Sequence, residues 1–548
     1  MVTSLCSLLV LIAGPTLLAS GLPAARGPPS VTLDQGTFVG VPAGVANKFL
    51  GIPFAKPPTG DLRFRLPVPN DPYSGTHDAT SFGLACPQQE MKLSLPSAVV
   101  SNISEFIVET VAAVVTPFGE DCLTLNVWTP ANVPAGTKLP VVAWIFGGGF
   151  EVGSTSEYDG GAIVSHSVKL GMPVVYVSMN YRLTAFGFLA GQEVKEAGVG
   201  NIGLQDQRQA LRWVQQYIHA FNGDPSRVTI WGESAGAISV ALQMLAHDAD
   251  TEGLFRGAFM QSGSPTPVGD ITHGQKYYDA LVTRTGCSGS ADTLQCLRQV
   301  PFQTLMDAVN ESPSMSSPQS LALAWMPRAD GNFLTNNPQA LVQQGTVANI
   351  PFVTGDCDDE GTLFALSNRN MTTEAELRTY LSTFFLPDVA PSDLDKLLEL
   401  YPQDPSQGSP FDTGDKNVLS PQYKRLSAIL GDLVFQAPRR FLLSSRSDQQ
   451  SAFAFLSKRF KWVPFVGAAH ATDLDNVYHG HDMTDYLVNF VNNLNPNGPG
   501  LLHWPAYSTS SPQLLTFLDG FKPQDITQDT FRADSMDFLT SLSLAHPI

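Results

Sequence analysis

Positive charge is scarce in this chain: 32 Lys and Arg stand against 50 Asp and Glu, a formal net charge of −18 at pH 7. A polyanion repels phosphate backbones, which argues against nucleic acid as a partner. Phosphate-cradling glycine motifs are missing as well. The run Gly147-Gly148-Gly149 is followed by no Lys-Ser/Thr and has no G-x-G-x-x-G spacing. There is no C-x-x-C and no Cys/His cluster, so neither a metal nor a cofactor is expected. Beyond the leader no apolar run reads as transmembrane, and Ala545-His-Pro-Ile is neither a retention signal nor a lipid-anchor tail. Internal repeats and low-complexity tracts are also lacking.

What is present begins with a leader. Leu5 to Leu18 is apolar, too short to span a bilayer comfortably, and ends in Ala19, Ser20 and Gly21. Its n-region has no Lys or Arg, but the pattern reads as a secretory signal peptide over residues 1–21, cleaved between 19 and 25. The product is expected to be secreted. Cys6 leaves with the leader, and five cysteines remain. Two bridges and one free thiol is the natural arithmetic in an oxidising compartment. Sequence proximity favours Cys86–Cys122 and Cys287–Cys296, leaving Cys357 unpaired and buried. In the loop-entropy model the longer ring stabilises by roughly 4 kcal/mol and the shorter by about 3. Sequons at Asn102, Asn310 and Asn370 agree with secretion. The 548 residues are 43% hydrophobic, ample for a large core. Length alone suggests several domains, yet the candidate site residues are spread across most of the chain, so 22–548 reads as one enlarged domain.

The organising stretch is Arg227-Val-Thr-Ile-Trp-Gly232-Glu233-Ser234-Ala235-Gly236. A β-branched run, Val228 to Trp231, meets G-x-S-x-G and passes directly into an apolar helical pattern. That strand–turn–helix context is what a nucleophile elbow requires. Leu139-Pro-Val-Val-Ala-Trp-Ile-Phe is a buried strand ending in Gly147 to Gly149, where backbone N–H groups can approach an oxyanion. Val174 to Met179 is another strand, and Asp206 to Phe221 is amphipathic. This βαβ rhythm predicts an α/β fold, a mostly parallel sheet with helices on both faces.

A serine hydroxyl needs a neutral imidazole to take its proton, and that imidazole needs an acid to fix its tautomer. In chain order Ser, Asp/Glu, His, with each on a loop after a strand, Ser234, Glu360 and His470 qualify. Asp358 and Asp359 compete with Glu360, and composition does not separate the three. His479 and His481 compete with His470 but lie farther from the late strand Ala452 to Leu456.

Between Cys86 and Cys122 the residues Ile103, Phe106, Ile107, Val111 and Val114 fall at helical spacing. A segment of that kind, tethered at both ends at 86–122, suits an apolar flap over a site, with a core-packing insertion as the alternative.

These segments together resemble the type-B carboxylesterase/lipase family of α/β-hydrolases, which includes cholinesterases and bile-salt-activated lipases. The likeness rests on Phe49-Leu-Gly-Ile-Pro-Phe-Ala, Glu120-Asp-Cys-Leu-Thr-Leu-Asn-Val, Trp144-Ile-Phe-Gly-Gly-Gly-Phe, Asn180-Tyr-Arg-Leu, Gly203-Leu-Gln-Asp-Gln, Gly232-Glu-Ser-Ala-Gly, Asp359-Glu-Gly-Thr and Ala469-His-Ala-Thr-Asp-Leu. It extends over nearly the whole mature chain and is nearest to the secreted fungal lipases. The resemblance implies Ser234 as nucleophile, His470 as base, Glu360 as acid, and Gly148, Gly149 and Ala235 as oxyanion-hole donors. It supports both disulfides, with Cys86–Cys122 enclosing the flap. The implied activity is ester hydrolysis through an acyl-enzyme, on an ester or lipid substrate met at a transient lipid–water interface. A carboxylesterase for short soluble esters is the runner-up. A serine-less adhesion module is disfavoured by the intact Ser/Glu/His set. A choline-ester enzyme is disfavoured because the Cys86–Cys122 loop contains no Trp or Tyr.

Overall fold

The apolar runs fold as their composition directs. A computed structural model describes residues 27–91, 116–134 and 136–548. The leader at 1–21, the sequon at Asn102 and the apolar segment expected as a flap lie outside the described residues.

An eleven-stranded sheet forms the centre, ordered β14-β13-β12-β11-β10-β9-β7-β8-β6-β4-β3. Its core strands are β7 (Leu139–Ile145), β8 (Val175–Met179), β9 (Gly223–Glu233), β10 (Gly257–Gln261), β11 (Phe352–Cys357), β12 (Ala452–Lys458) and β13 (Gln513–Leu518). Every adjacent pair from β8 across to β13 is parallel. β7, β8, β10 and β11 are buried at every position. Strands covered on both faces read as continuous apolar runs rather than alternating ones. The flanks are antiparallel: β3 (Val41–Ala43), β4 (Ala46–Pro53) and β6 (Thr124–Pro130) on one side, β14 (Gln524–Gln528) on the other. A separate three-stranded sheet joins β1 (Ser30–Leu33), β2 (Gln35–Val39) and β5 (Ser74–Asp78).

Helix α1 (Ile202–Tyr217) begins earlier than the amphipathic pattern from Asp206 suggests. Gly203, which looks like a breaker, is there because a Cβ would sit 2.5 Å from the Arg182 carbonyl oxygen. Two of the characteristic segments meet at this point. The Arg182 guanidinium donates to both Asp206 oxygens at 2.8 and 2.7 Å, with both side chains buried. Pairing with bidentate geometry is what makes such buried charge tolerable.

Cys86–Cys122 and Cys287–Cys296 are bonded, and Cys357 is free and buried. A second apolar cluster, built from helices between 362 and 437 and from Met536, Leu539 and Leu542, packs beside the main core. Among the described residues no helix is long and apolar enough to cross a membrane. Because β7 and β9 to β12 run parallel, the loops that follow them leave on one rim. Gly147 to Gly149 follow β7, Ser234 follows β9, Glu360 follows β11 and His470 lies on the loop after β12.

Candidate active site

Ser234 sits between β9 and helix α2 (Ala235–Ala249) with φ 55° and ψ −127°, a region that an L-residue occupies only when its surroundings force it. The surroundings are close backbone contacts. A Cβ on Gly236 would lie 2.0 Å from the Ile145 carbonyl oxygen, and one on Gly232 would lie 2.4 Å from the Gly236 carbonyl. The helix is thereby drawn onto β7 and β9, and the Ser234 side chain is thrown up over the rim.

The Ser234 hydroxyl donates to His470 Nε2 at 2.7 Å, and His470 Nδ1–H donates to Glu360 Oε2 at 2.5 Å. The other Glu360 oxygen accepts from the Cys357 backbone N–H at 2.6 Å, which sets the carboxylate plane. The rival acids are engaged elsewhere. Lys461 Nζ donates to Asp358 and Asp359 at 2.7 Å each, and Asp359 also accepts from the backbone N–H groups of Phe411 and Ala468. The rival histidines pair with Asp475: His479 at 2.8 Å and His481 at 3.9 Å, both more than half exposed at the side chain.

The Gly147 to Gly149 loop faces the serine. Gly148 adopts φ 102°, and a Cβ there would meet the Val152 carbonyl at 2.2 Å. Ala235 is the first residue of α2, so its N–H has no partner inside the helix. Among the described residues, none of the N–H groups of Gly148, Gly149 and Ala235 donates to another protein group. Three free donors and the positive end of a helix thus border the hydroxyl.

Buried acids missed by sequence reasoning surround this constellation. Glu233 lies beside His470, 3.4 Å from Nε2, and burial raises its carboxyl to about 8 despite the imidazole nearby. Asp473, raised by burial to about 6, accepts from Gln261, whose oxygen accepts from Trp231 Nε1. Glu151, raised by burial to about 8, accepts from the Met315 backbone N–H at 2.8 Å. Glu233 and Asp473 stand within quoted motifs, but no one-dimensional signal shows that their carboxyls are buried. For His470 itself, burial pushes the imidazole down. The Glu360 carboxylate, with Glu233 and Asp473 behind it, overrides that and lifts it to about 9.

A cavity of about 950 Å³ opens over Ser234 and His470, near the top of the usual range for ligand pockets. Met315, Leu321, Leu323, Phe364, Val434 and Phe435 contribute apolar wall. Phe364 and Phe435 also flank the imidazole, with ring centroids 5.1 and 4.8 Å from it. These wall residues come from helices and loops distant in sequence, so no motif marks them. Among the described residues no cluster of side chains suits a metal ion. Of the sequons, Asn370 is exposed, whereas Asn310 is half-buried and accepts from the Glu90 N–H.

Comparison with known proteins agrees with this architecture. The chain matches the model of the carboxylesterase family over residues 27–538. It is 42% identical over 500 residues to Lipase 4 of Diutina rugosa, covering 88% of this chain and 90% of that protein. It is 40% identical over 531 residues to the secreted triacylglycerol lipase LIP1 of Gibberella zeae, covering 93% and 90%. Among solved structures, EstA of Aspergillus niger superposes with a TM-score of 0.81 at 26% identity, covering 95% of this chain and 99% of that one. A match of this length leaves no part of the sheet or its rim unaccounted for: the chain belongs to the carboxylesterase family and is a carboxylic ester hydrolase.

Proposed function

We propose that this protein is a secreted lipase, a serine hydrolase acting on long-chain acyl esters through an acyl-enzyme. The observation that carries the reading is the cavity of about 950 Å³ with mostly apolar walls standing directly over a serine that is hydrogen-bonded to His470. Ser234 attacks the ester carbonyl as His470 takes its proton, and Glu360 stabilises the imidazolium. The N–H groups of Gly148, Gly149 and Ala235 hold the oxyanion. His470 then protonates the departing alcohol and activates the water that releases the acid. The apolar wall is desolvated by an acyl chain at a gain of ~25 cal/mol per Å² buried, which favours long chains over short ones.

Relatives named as lipases, one of them a secreted triacylglycerol lipase, support the substrate class and an extracellular location. The chain 22–548 is taken as one domain. Gln88 and Met91, just after Cys86, line the cavity. The test is hydrolysis of p-nitrophenyl esters of increasing chain length beside a triacylglycerol emulsion. Rates that climb above the substrate's solubility limit are expected. Plain saturation confined to short soluble esters would make the protein an esterase instead.

A further inference from the structure

Two aromatic side chains stand on the site's rim without serving the chemistry or the core: Trp462 is 65% exposed and Phe521 fully exposed. The pairing register places Glu233, Gln261, Gly355, Phe455 and Leu515 at one level across the sheet. Ser234 is the next residue up from that level. Trp462 follows the end of β12 at Lys458, and Phe521 follows the end of β13 at Leu518. Both turns therefore project beyond the serine on the same rim. At ~4.8 Å per strand they lie roughly 14 and 19 Å to one side of it.

The two turns are braced. The Asp519 carboxylate, on the Phe521 turn, accepts from the backbone N–H groups of Phe460 and Lys461 at 3.1 Å each. Lys461 is fastened in turn to Asp358 and Asp359, next to Glu360. Phe460 supports Trp462, with ring centroids 6.3 Å apart. The local cations are all paired: Lys458 with Asp412 at 2.8 Å, Arg459 with Asp482 at 2.7 Å and Lys522 with Asp525 at 2.8 Å. Isolated exposed apolar residues are ordinary. A Trp and a Phe on two neighbouring turns that a shared carboxylate ties together, on the same rim of the sheet as the serine, are a built surface.

We propose that Trp462 and Phe521 anchor the protein to the surface of aggregated ester substrate, seating the rim so that the cavity opens onto that surface. This rests on the lipase reading above. Aromatic rings of this kind partition into the layer between water and acyl chains, the indole N–H staying on the polar side. With its cations paired and a net charge of −18, the protein gains nothing from an anionic surface. The occupant that fits is an uncharged ester surface.

The test uses full-length protein carrying Ser234→Ala, so that binding is read without hydrolysis. Partition onto droplets of trioctanoin is measured by flotation, with and without Trp462→Ala/Phe521→Ala. The double substitution is expected to cut partition about tenfold, and added salt is expected not to weaken the parent's binding. In the otherwise wild-type protein the same pair should leave kcat and KM on soluble p-nitrophenyl acetate unchanged, which also reports correct folding, and should raise the apparent KM on the emulsion. Equal partition of the two proteins, or binding abolished by salt, would overturn the anchor. The two readings fail separately. Ring-dependent partition in a protein that never hydrolyses trioctanoin upholds the anchor and sinks the lipase reading. Normal emulsion hydrolysis with ring-independent partition does the reverse.

Discussion

The serine side of the site and its acid–base side are built by different physics. Ser234 is placed by contiguous residues. Strand β9, two glycines and α2 are pressed together until the carbonyl of Ile145 would lie 2.0 Å from any Cβ on Gly236, and the chain turns at the strained serine between them. Glu360 and His470 lie 110 residues apart and are held by polar contacts between loops, with Cys357, Asp359 and Lys461 as the fasteners. Local sterics therefore position Ser234, and long-range polar contacts position Glu360 and His470. Damage to the two sides should look different.

Ser234→Ala tests the shared end of both and should have the largest effect. Esterase turnover is expected to fall on the order of 10⁴- to 10⁶-fold with little change in melting temperature, and labelling by a fluorophosphonate should vanish. Retained turnover would remove the serine from the chemistry. Glu360→Gln comes next. A neutral amide does not stabilise the imidazolium, so kcat should drop by about 10⁴ with KM little changed. Asp358→Asn, measured in the same assay, should stay within a few-fold, because that carboxylate faces Lys461 rather than the imidazole. Were the two results exchanged, the acid would be Asp358.

Gly236→Ala probes the steric side alone. Overpacking against β7 should destabilise the fold by about 3 kcal/mol, visible in the denaturation midpoint. Asp359→Asn probes the other side, where the lost carboxylate serves Lys461, Ser409 and two backbone N–H groups. It should lower stability by about 2 kcal/mol and reduce kcat only as far as the His470 loop loosens. A Gly236→Ala protein as stable as its parent would mean that the elbow is not set by contact.

This contrast also explains what could be read from residues alone. The elbow was legible because its causes are sequential: β-branched strand, Gly232, Gly236 and an apolar helix adjoin one another. The parallel centre was legible because strands buried on both faces are continuous apolar runs. Residue chemistry alone left Glu360 level with Asp358 and Asp359, since the discriminating partner, Lys461, is a hundred residues away. The amphipathic pattern from Asp206 also falls short of the first turn of α1, where Gly203 is required by contact with the Arg182 carbonyl. The buried state of Glu151, Glu233 and Asp473, and the cavity wall of Met315, Leu323 and Phe435, exist only after the loops have assembled.

The smallest expected effect is the most specific to the acid–base side. His470 must be neutral to accept the serine proton, so kcat/KM should rise with pH, and the Glu360 carboxylate that lifts the imidazole from 6.5 to about 9 moves that rise into alkaline solution. Glu233, raised by burial to about 8, is neutral below that pH, and its share of the upward push on His470 lapses there. Glu233→Gln makes this neutrality permanent. The limb of kcat/KM against pH should then shift down by up to about one unit, equivalent to ~1.4 kcal/mol less stabilisation of the imidazolium, with activity at neutral pH held or slightly raised. An upward shift would show that Glu233 reaches His470 as a hydrogen-bond partner and not through its charge. An unmoved limb would leave Glu360 as the sole electrostatic control of the base, and a deeper cut in kcat by Glu360→Gln than by any other charge removal would then be the whole signature of that side.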